Sequence, residues 1–201
     1  MSDVNKSGKH AQITRRRFVK DTGRVAAAGL AFPTIVASSA IGLGQAPPPS
    51  RRITVACIGV GDRGVENLKS LLAQPDVRVV AVCDVDAKHS QEAKLLVDQA
   101  YAGSGAAVRG GCPVYGDFRA ILEKQDIDAV AIATPDHWHG IIAVQSARAG
   151  KDIYCETPLS LTIAEGRAIC QMARRYDRIF QTGSQRRSDP RFRFACELVK
   201  N

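Results

Sequence analysis

A glycine-rich turn that directly follows a β-rich segment is the feature that most constrains the fold. Residues 53–58 read Ile-Thr-Val-Ala-Cys-Ile, and residues 59–64 follow with the pattern G-x-G-x-x-G before a stretch of helical periodicity. In this context Gly59 permits a tight bend, Gly61 lets the backbone approach a pyrophosphate, and Gly64 lets helix and strand pack closely. The N-terminus of the following helix attracts phosphate. The pattern predicts a dinucleotide-binding turn, although such glycines in isolation would indicate only a turn.

A carboxylate stands at the end of the second β-rich segment. Residues 77–83 are rich in valine, and Asp84 follows them, twenty positions after Gly64. A carboxylate at this spacing accepts hydrogen bonds from a ribose diol and repels the 2′-phosphate of NADP, which favours NAD. The alternative for Asp84 is a helix cap. Three basic residues nearby leave NADP open: Arg63, Lys88 and His89.

Beyond residue 52, β-rich runs alternate with helical stretches. This alternation predicts an α/β domain with a Rossmann-type doubly wound parallel sheet. Strands are expected near residues 52–58, 77–83, 127–133, 152–155 and 179–182, and helices near 63–73, 87–101, 117–124, 137–149, 162–176 and 190–200. The glycine-rich stretch 102–116 lacks periodicity and is expected to be a surface loop. Asp117 is typical of a helix N-cap, and Gly150 of a helix stop.

The first 46 residues have the features of an export signal. Thr14 begins a segment that matches the twin-arginine pattern S/T-R-R-x-F-x-K, and a modestly apolar run follows. A membrane anchor is the alternative, but the run is short for a span and is interrupted by Gly29 and Pro33. We expect residues 1–46 to be a twin-arginine signal peptide and linker, recognised by the twin-arginine export machinery. Residues 47–201 would then form the folded domain, in the periplasm or cell envelope.

The charge of the chain argues against nucleic acid as a partner. The formal net charge is +8, but seven Lys/Arg against two Asp within the first 46 residues supply +5 of it. The basic cluster at residues 186–193 has few aromatic stacking platforms. With 45% hydrophobic and 24% charged residues, the 201-residue chain has the composition of a soluble globular protein.

The six cysteines form no C-x-x-C pair, and several lie within apolar runs. We therefore expect buried free thiols, and neither disulfides nor a structural zinc site. They are Cys57, Cys83, Cys112, Cys155, Cys170 and Cys196.

Two further motifs follow predicted strands. Residues 133–139 read Ala-Thr-Pro-Asp-His-Trp-His, and residues 152–158 read Asp-Ile-Tyr-Cys-Glu-Thr-Pro. The carboxyl ends of parallel strands are where open α/β sheets bind ligands. His137 and His139 beside Asp136 suggest a metal at first sight, but further ligands are missing, so helix capping and cofactor contact are preferred.

These motifs, together with Q-T-G-S-Q-R-R at residues 181–187, closely resemble the Gfo/Idh/MocA oxidoreductases of the glucose-fructose oxidoreductase and inositol dehydrogenase type. The resemblance runs from about residue 52 to residue 201. It implies that this is the NAD(P)-binding first domain of such an enzyme. In that family a second α/β domain forms the sugar pocket and supplies an acid/base pair, and we expect this substrate domain to be absent from the 201 residues.

The resemblance also implies roles for individual residues. The pyrophosphate would be bound by residues of the glycine-rich turn, namely Gly59, Gly61, Asp62, Arg63 and Gly64. Asp84 would bind the adenosine ribose, and Thr134, Pro135 and His139 would lie on the nicotinamide side. Glu156 corresponds to the glutamate of the family's E-K-P motif and would also contact the cofactor. Arg187 would face substrate, with a surface salt bridge as the alternative. Trp138 would shield the cofactor or serve only in packing.

One departure from the family pattern affects catalysis. Thr157 stands where the family has the lysine of E-K-P, and it can neither carry a positive charge nor tune proton transfer as an ammonium does. No catalytic residue is therefore assigned. The leading function is the NAD(P)-binding part of an exported oxidoreductase that acts on hydroxyl groups of a sugar or cyclitol. An NAD-dependent glycosidase and a non-catalytic nucleotide-binding module are the alternatives. A homo-oligomer is compatible with the sequence.

Overall fold

The strands form one parallel sheet with the strand order of a Rossmann fold. The computed structural model describes residues 48, 51–102 and 111–200, so the predicted signal peptide and linker lie outside the described residues. Each neighbouring pair of strands is parallel, and the order is β3-β2-β1-β4-β5-β6. The strands are β1 (Ile53–Ile58), β2 (Val77–Cys83), β3 (Val114–Tyr115), β4 (Ala129–Ile132), β5 (Asp152–Glu156) and β6 (Phe180–Gly183). The predicted doubly wound sheet is confirmed.

Helices connect the strands and cover both faces of the sheet. They are α1 (Asp62–Leu72), α2 (Ala87–Tyr101), α3 (Phe118–Leu122), α4 (Asp136–Arg148), α5 (Ile163–Arg175) and α6 (Pro190–Lys200), with a short 3₁₀ helix (Gln185–Ser188) before α6. None of these helices combines the length and apolar character that crossing a membrane requires, as far as the described residues extend.

The core lies on both faces of β1 because successive side chains of a strand point to opposite sides. Val55 and Cys57 pack with buried residues of α1 and α2, such as Leu68. Ala56 and Ile58 pack on the other face, where α3, α4 and α5 contribute Phe118, Ile121, Ile142 and Ile169. The sheet is therefore buried between two helical layers, and its carboxyl edge is left for ligands.

The helix signals at Asp117 and Gly150 are confirmed. The Asp117 carboxylate accepts a hydrogen bond from the Arg119 backbone N–H at 2.9 Å, so it caps α3. Gly150 follows the end of α4 with φ of 76°. The loop prediction for residues 102–116 lies outside the described residues at positions 103–110, and it is wrong at Val114–Tyr115, which pair with β2 as strand β3. Two residues are too few to show strand periodicity in a sequence.

The cysteine prediction is confirmed for four positions and wrong for two. All six thiols are free; Cys57, Cys83, Cys112 and Cys155 are buried, whereas Cys170 and Cys196 are exposed on α5 and α6. Burial raises the pKa of Cys57, Cys83 and Cys155 to about 12. These buried thiols remain protonated at neutral pH and serve packing.

Candidate cofactor site

A cleft of about 580 Å³ opens at the carboxyl ends of β1, β2, β3 and β4. It lies across the point where the strand order reverses, between β1 and β4, which is where doubly wound sheets bind ligands. Five of the predicted site residues line it: Gly59, Gly61, Asp84, Thr134 and Pro135. Trp138, Val85, Asp86, His89 and residues 116–119 complete most of the wall.

Gly59 and Gly64 are required by the packing of the chain itself. Gly59 has φ of 81°, and a Cβ there would lie 2.6 Å from the backbone nitrogen of Thr134. A Cβ on Gly64 would collide with the carbonyl oxygen of Gly59. The first glycine therefore allows the bend after β1, and the other allows α1 to approach that bend.

Gly61 has a different environment. A Cβ there would meet only the His89 ring, at 3.8 Å, so packing within the described chain does not demand glycine. Gly61 is also the N-cap residue of α1, and no side chain caps this helix end. By contrast, Asp86, Asp117 and Thr162 cap α2, α3 and α5. The start of α1 thus presents uncapped N–H groups and an open backbone, which suits an anion.

Asp84 supports the glycine-rich turn directly. Its Oδ2 accepts a hydrogen bond from the Val60 backbone N–H at 2.8 Å, and its Oδ1 accepts one from the Asp86 N–H at 2.9 Å. The helix-cap alternative for Asp84 is wrong, because Asp86 caps α2 by accepting from the Lys88 N–H at 2.7 Å. Each carboxylate oxygen of Asp84 has further acceptor capacity, so a ribose hydroxyl can still bind there.

Three carboxylates share the wall of the cleft: Asp84, Asp86 and Asp117. Backbone hydrogen bonds lower the pKa of Asp86 and of Asp117, so both are ionised at neutral pH. Arg119, which also lines the cleft, places Nη1 3.2 Å from Asp117 and its guanidinium 4.8 Å from the Phe118 ring centroid. Sequence reasoning recognised Asp117 only as a helix cap, because its place on the wall depends on the short strand β3.

Glu156 and Arg63 contact each other and do not line the cleft. Arg63 donates from Nε and Nη2 to Glu156 Oε1, each at 3.1 Å, and its Nη1 pairs with Glu66. These bonds hold the guanidinium away from the cleft wall, so the predicted pyrophosphate role of Arg63 would fall to its backbone N–H at the start of α1. Asp62 and Gly64 also lie outside the wall, in the same first turn.

His139 is buried behind the cleft wall. Its Nδ1 lies 2.6 Å from the Pro158 carbonyl oxygen, so that nitrogen carries the proton and donates it. Nε2 of His139 and Oγ1 of Thr134 are buried, and neither has a hydrogen-bond partner among the described residues. The histidine thus connects α4 with Pro158, two residues after β5, and the two residues are 19 positions apart in the chain, so sequence inspection does not reveal the contact.

The His-Trp-His segment shows no metal cluster. His137 is exposed, and its Nδ1 lies 3.8 Å from Asp136 Oδ1. Within residues 48, 51–102 and 111–200 no three His, Cys, Asp or Glu side chains are grouped so that they would hold a metal ion. Trp138 lines the cleft and remains 42% exposed, so it is not a core packing residue.

Arg187 and Thr157 lie beyond the cleft, after β6 and β5. Arg187 is exposed on the 3₁₀ helix that follows β6, and it forms no ion pair with the described residues, so the salt-bridge alternative has no support there. The Thr157 hydroxyl donates to the Gly183 carbonyl at 3.4 Å. Both residues stand at the carboxyl edge of the sheet, next to the cofactor cleft in strand order.

Known proteins with similar sequences are named as glycosidases. A glycosyl hydrolase family 109 protein of Shewanella pealeana is 31% identical over 82% of this chain and 38% of its own length. An alpha-N-acetylgalactosaminidase of Shewanella oneidensis is 32% identical over 81% of this chain and 37% of its own length. The chain thus spans well under half the length of these relatives.

Several solved structures with a similar fold are named as inositol dehydrogenases. The myo-inositol 2-dehydrogenase of Lactobacillus plantarum aligns with a TM-score of 0.63 and 26% identity, over 75% of this chain and 41% of that one. The scyllo-inositol dehydrogenase of Lactobacillus casei with bound NAD(H) and scyllo-inositol aligns with a TM-score of 0.62 and 25% identity, over 74% and 41% of the two chains.

The match to a protein-family model shows which family the chain belongs to. The model of the GFO_IDH_MocA oxidoreductase family, described by its NAD-binding Rossmann fold, matches residues 53–184. That range contains the glycine-rich turn, the carboxylates of the cleft and both motifs that follow β4 and β5. The chain therefore belongs to the Gfo/Idh/MocA oxidoreductase family and contains its NAD-binding Rossmann domain.

Proposed function

We propose that this chain forms the cofactor-binding part of an exported, NAD-dependent oxidoreductase that acts on a hydroxyl group of a sugar or cyclitol. The observation that carries the cofactor assignment is the open backbone at Gly61 in front of the uncapped N-terminus of α1. A pyrophosphate provides the charge and the small cross-section that this feature suits.

The remaining wall of the cleft fits the adenosine half of NAD. Asp84 would accept from the ribose hydroxyls, and the exposed Val85 and the guanidinium of Arg119 offer apolar and planar surfaces for adenine. The carboxylates of Asp84, Asp86 and Asp117 disfavour the 2′-phosphate of NADP by like-charge repulsion. This wall supports NAD as the preferred cofactor.

The end of β4 fits the nicotinamide half. Thr134 and Pro135 line the cleft there, and Thr134 Oγ1 is a buried polar atom with no partner among the described residues, so a ligand can supply its hydrogen bond. His139 holds the segment after β5 through Pro158, which positions Thr157 at the sheet edge. Bound NAD supplies the hydride acceptor, and the protein's part is to orient it and exclude water.

Sugar or cyclitol as the substrate class is supported by the neighbours. The scyllo-inositol dehydrogenase of Lactobacillus casei was solved with NAD(H) and scyllo-inositol together. Arg187, exposed beside the carboxyl edge without an ion-pair partner among the described residues, is the side chain that we assign to substrate contact. A polyol hydroxyl or a negatively charged substituent could accept hydrogen bonds from the guanidinium of Arg187.

An NAD-dependent glycosidase is the second candidate, and a specific observation favours it. Relatives with 31–32% identity over four fifths of the chain are named glycosyl hydrolase family 109 proteins or alpha-N-acetylgalactosaminidase. Such an enzyme would oxidise the sugar transiently and return the hydride, so that no NADH accumulates.

One assay pair tests the function. The 201-residue chain is titrated with NAD by isothermal titration calorimetry, and the product of the whole gene is then incubated with inositols, free sugars and aryl glycosides while NADH absorbance and aryl alcohol release are recorded. NADH formation from a polyol supports the dehydrogenase, and aryl release without NADH supports the glycosidase. If the folded chain fails to bind NAD, the cofactor assignment is wrong.

We also propose that the protein reaches the periplasm or cell envelope through the twin-arginine machinery. The support is the segment Thr14-Arg15-Arg16-Arg17-Phe18-Val19-Lys20, followed by an apolar run. A cofactor made in the cytoplasm fits such a route, since the twin-arginine pathway carries proteins that have already folded.

A further inference from the structure

A buried carboxylate joins helix α1 to the end of β5. Glu156, the last residue of β5, is 5% exposed. Its Oε1 accepts hydrogen bonds from Asn67 Nδ2 at 2.8 Å, from Arg63 Nε and Nη2 at 3.1 Å each, and from the Tyr154 hydroxyl at 3.1 Å. Arg63 and Asn67 are four residues apart on α1, so they present donors from one face of its first two turns.

Strand β6 encloses the Glu156 carboxylate from the side that α1 and β5 leave open. A Cβ on Gly183 would lie 2.8 Å from the Tyr154 hydroxyl and 2.9 Å from Glu156 Cδ. Strand β6 can therefore pair beside β5 only because Gly183 leaves room for the carboxylate and its donors. The Glu156 cluster, defined as Arg63, Asn67, Tyr154 and Glu156, is thus enclosed by α1, β5 and β6.

The carboxylate is ionised within this cluster. Burial raises the pKa of Glu156, but the hydrogen bonds from Asn67, Arg63 and Tyr154 outweigh burial and hold the pKa below its usual value. An ionised buried carboxylate makes strong, directional hydrogen bonds, and leaving its donors unpaired is costly. Glu156 does not line the cleft, so these bonds are not explained by contact with the cofactor in it.

We propose that Glu156 is a positioning residue, which fixes the rotation and axial position of α1 so that its N-terminal N–H groups face the pyrophosphate. Helix α1 otherwise packs through Leu68, Leu71 and Leu72, and apolar packing is non-directional. The Glu156 cluster adds directional bonds at Arg63, within the phosphate-binding turn, and at Asn67, one turn further along. This proposal rests on the proposed NAD site.

The test separates the phosphate contribution from the rest of the binding energy. The full chain and its Glu156→Gln and Asn67→Ala variants are titrated with NAD, ADP and adenosine, after circular dichroism has shown that each is folded at the assay temperature. Asn67→Ala removes one donor and leaves the carboxylate hydrogen-bonded to Arg63 and Tyr154. We therefore expect this variant to fold even if Glu156→Gln does not. Glu66→Gln is the matched control, because Glu66 contacts the same Arg63 from the exposed side.

We expect both cluster variants to weaken NAD and ADP binding about tenfold while adenosine binding changes less than about twofold. Glu66→Gln should leave all three affinities within twofold. In the double variant Asn67→Ala/Glu156→Gln, the fold-loss in ADP affinity should be smaller than the product of the fold-losses of the two single variants. The reason is that both substitutions remove the same hydrogen bond between Asn67 and Glu156. Unchanged ADP affinity in a folded cluster variant, or equal losses for ADP and adenosine, would overturn the role of Glu156. A wild-type chain that binds neither NAD nor ADP would instead overturn the proposed function.

Discussion

At the scale of single residues, the three glycines of the turn differ in what requires them. Gly59 and Gly64 are demanded by contacts within the chain, whereas the space in front of Gly61 is free of close protein atoms. The same motif therefore contains two positions that the packing of the chain requires and one that we assign to cofactor binding. Substitutions at Gly61 and Gly64 should separate these two effects.

We expect Gly61→Val to retain the wild-type melting temperature within a few degrees and to lose measurable NAD binding. The valine side chain would occupy the space that we assign to the pyrophosphate. Gly64→Ala should lower the free energy of unfolding by about 1–3 kcal/mol, because its methyl group meets the Gly59 carbonyl. Thermal unfolding and calorimetric titration of both variants provide the measurements. Wild-type NAD affinity in folded Gly61→Val would refute the phosphate assignment.

Asp84 supports the glycine-rich turn, and we expect its charge to repel the 2′-phosphate of NADP. Removing its charge should narrow the preference for NAD over NADP by about tenfold, which corresponds to ~1.4 kcal/mol. Because Asp84 also binds the Val60 N–H, Asp84→Ser should weaken both cofactors, and only the ratio of their dissociation constants isolates the charge effect. Glu92→Gln, on the exposed face of α2, is the control for net charge. An unchanged ratio in Asp84→Ser would show that Asp84 serves the turn alone.

At the scale of elements, Lys151 connects the start of β5 with the segment between α3 and β4. It is 3% exposed, and its Nζ donates to the carbonyl oxygens of Lys124 and Ile127. We expect Lys151→Met to lower the free energy of unfolding by about 1–3 kcal/mol, since it leaves buried carbonyls without donors. NAD affinity should remain unchanged because Lys151 lies at the opposite end of β5 from the cleft. Urea unfolding measures the loss, and the exposed Lys69→Met is the control; equal stability of both variants would contradict this role.

The link between α1 and β5 should also make stability depend on pH. The folded pKa of Glu156 lies below its ordinary value of 4.5, so the stabilisation is present above pH 4.5 and disappears as the pH falls through the folded pKa. Between pH 7 and pH 3, wild-type protein should therefore lose more stability than Glu156→Gln, by at most about 2 kcal/mol, which is the linkage limit for an unfolded pKa of 4.5. Urea unfolding at several pH values measures this difference. Glu66→Gln should follow the wild-type curve, and identical curves for wild type and Glu156→Gln would exclude the linkage.

At the scale of the whole molecule, the twin-arginine segment predicts where the protein works. Replacing Arg15 and Arg16 together with lysine should retain the protein in the cytoplasm, because the export machinery reads the arginine pair as an address. Cell fractionation followed by immunoblotting measures the distribution. The matched control is Lys6→Arg with Lys9→Arg, which keeps the charge and lies outside the pair. Equal distribution of the Arg15→Lys/Arg16→Lys variant and wild type would remove the support for export.

Local patterns were sufficient for the class of fold and the type of cofactor. The glycine turn, the carboxylate after the second strand and the alternation of strands and helices each depend on residues close together in the chain. Sterics and hydrophobic periodicity act over that same short range, so the doubly wound Rossmann-type sheet and the type of cofactor could be predicted. The caps at Asp117 and the stop at Gly150 were predictable for the same reason.

Only the tertiary structure decided which side chains meet across the sheet. Glu156 lies 93 positions from Arg63, and their contact exists because β5 and α1 are brought together by the strand order. The Pro158 carbonyl receives its hydrogen bond from His139 for the same reason, and Asp117 reaches the cleft wall because β3 pairs with β2. The sequence alone determined the glycine-rich turn that we assign to phosphate; long-range packing determined which side chains contact the helix that follows it.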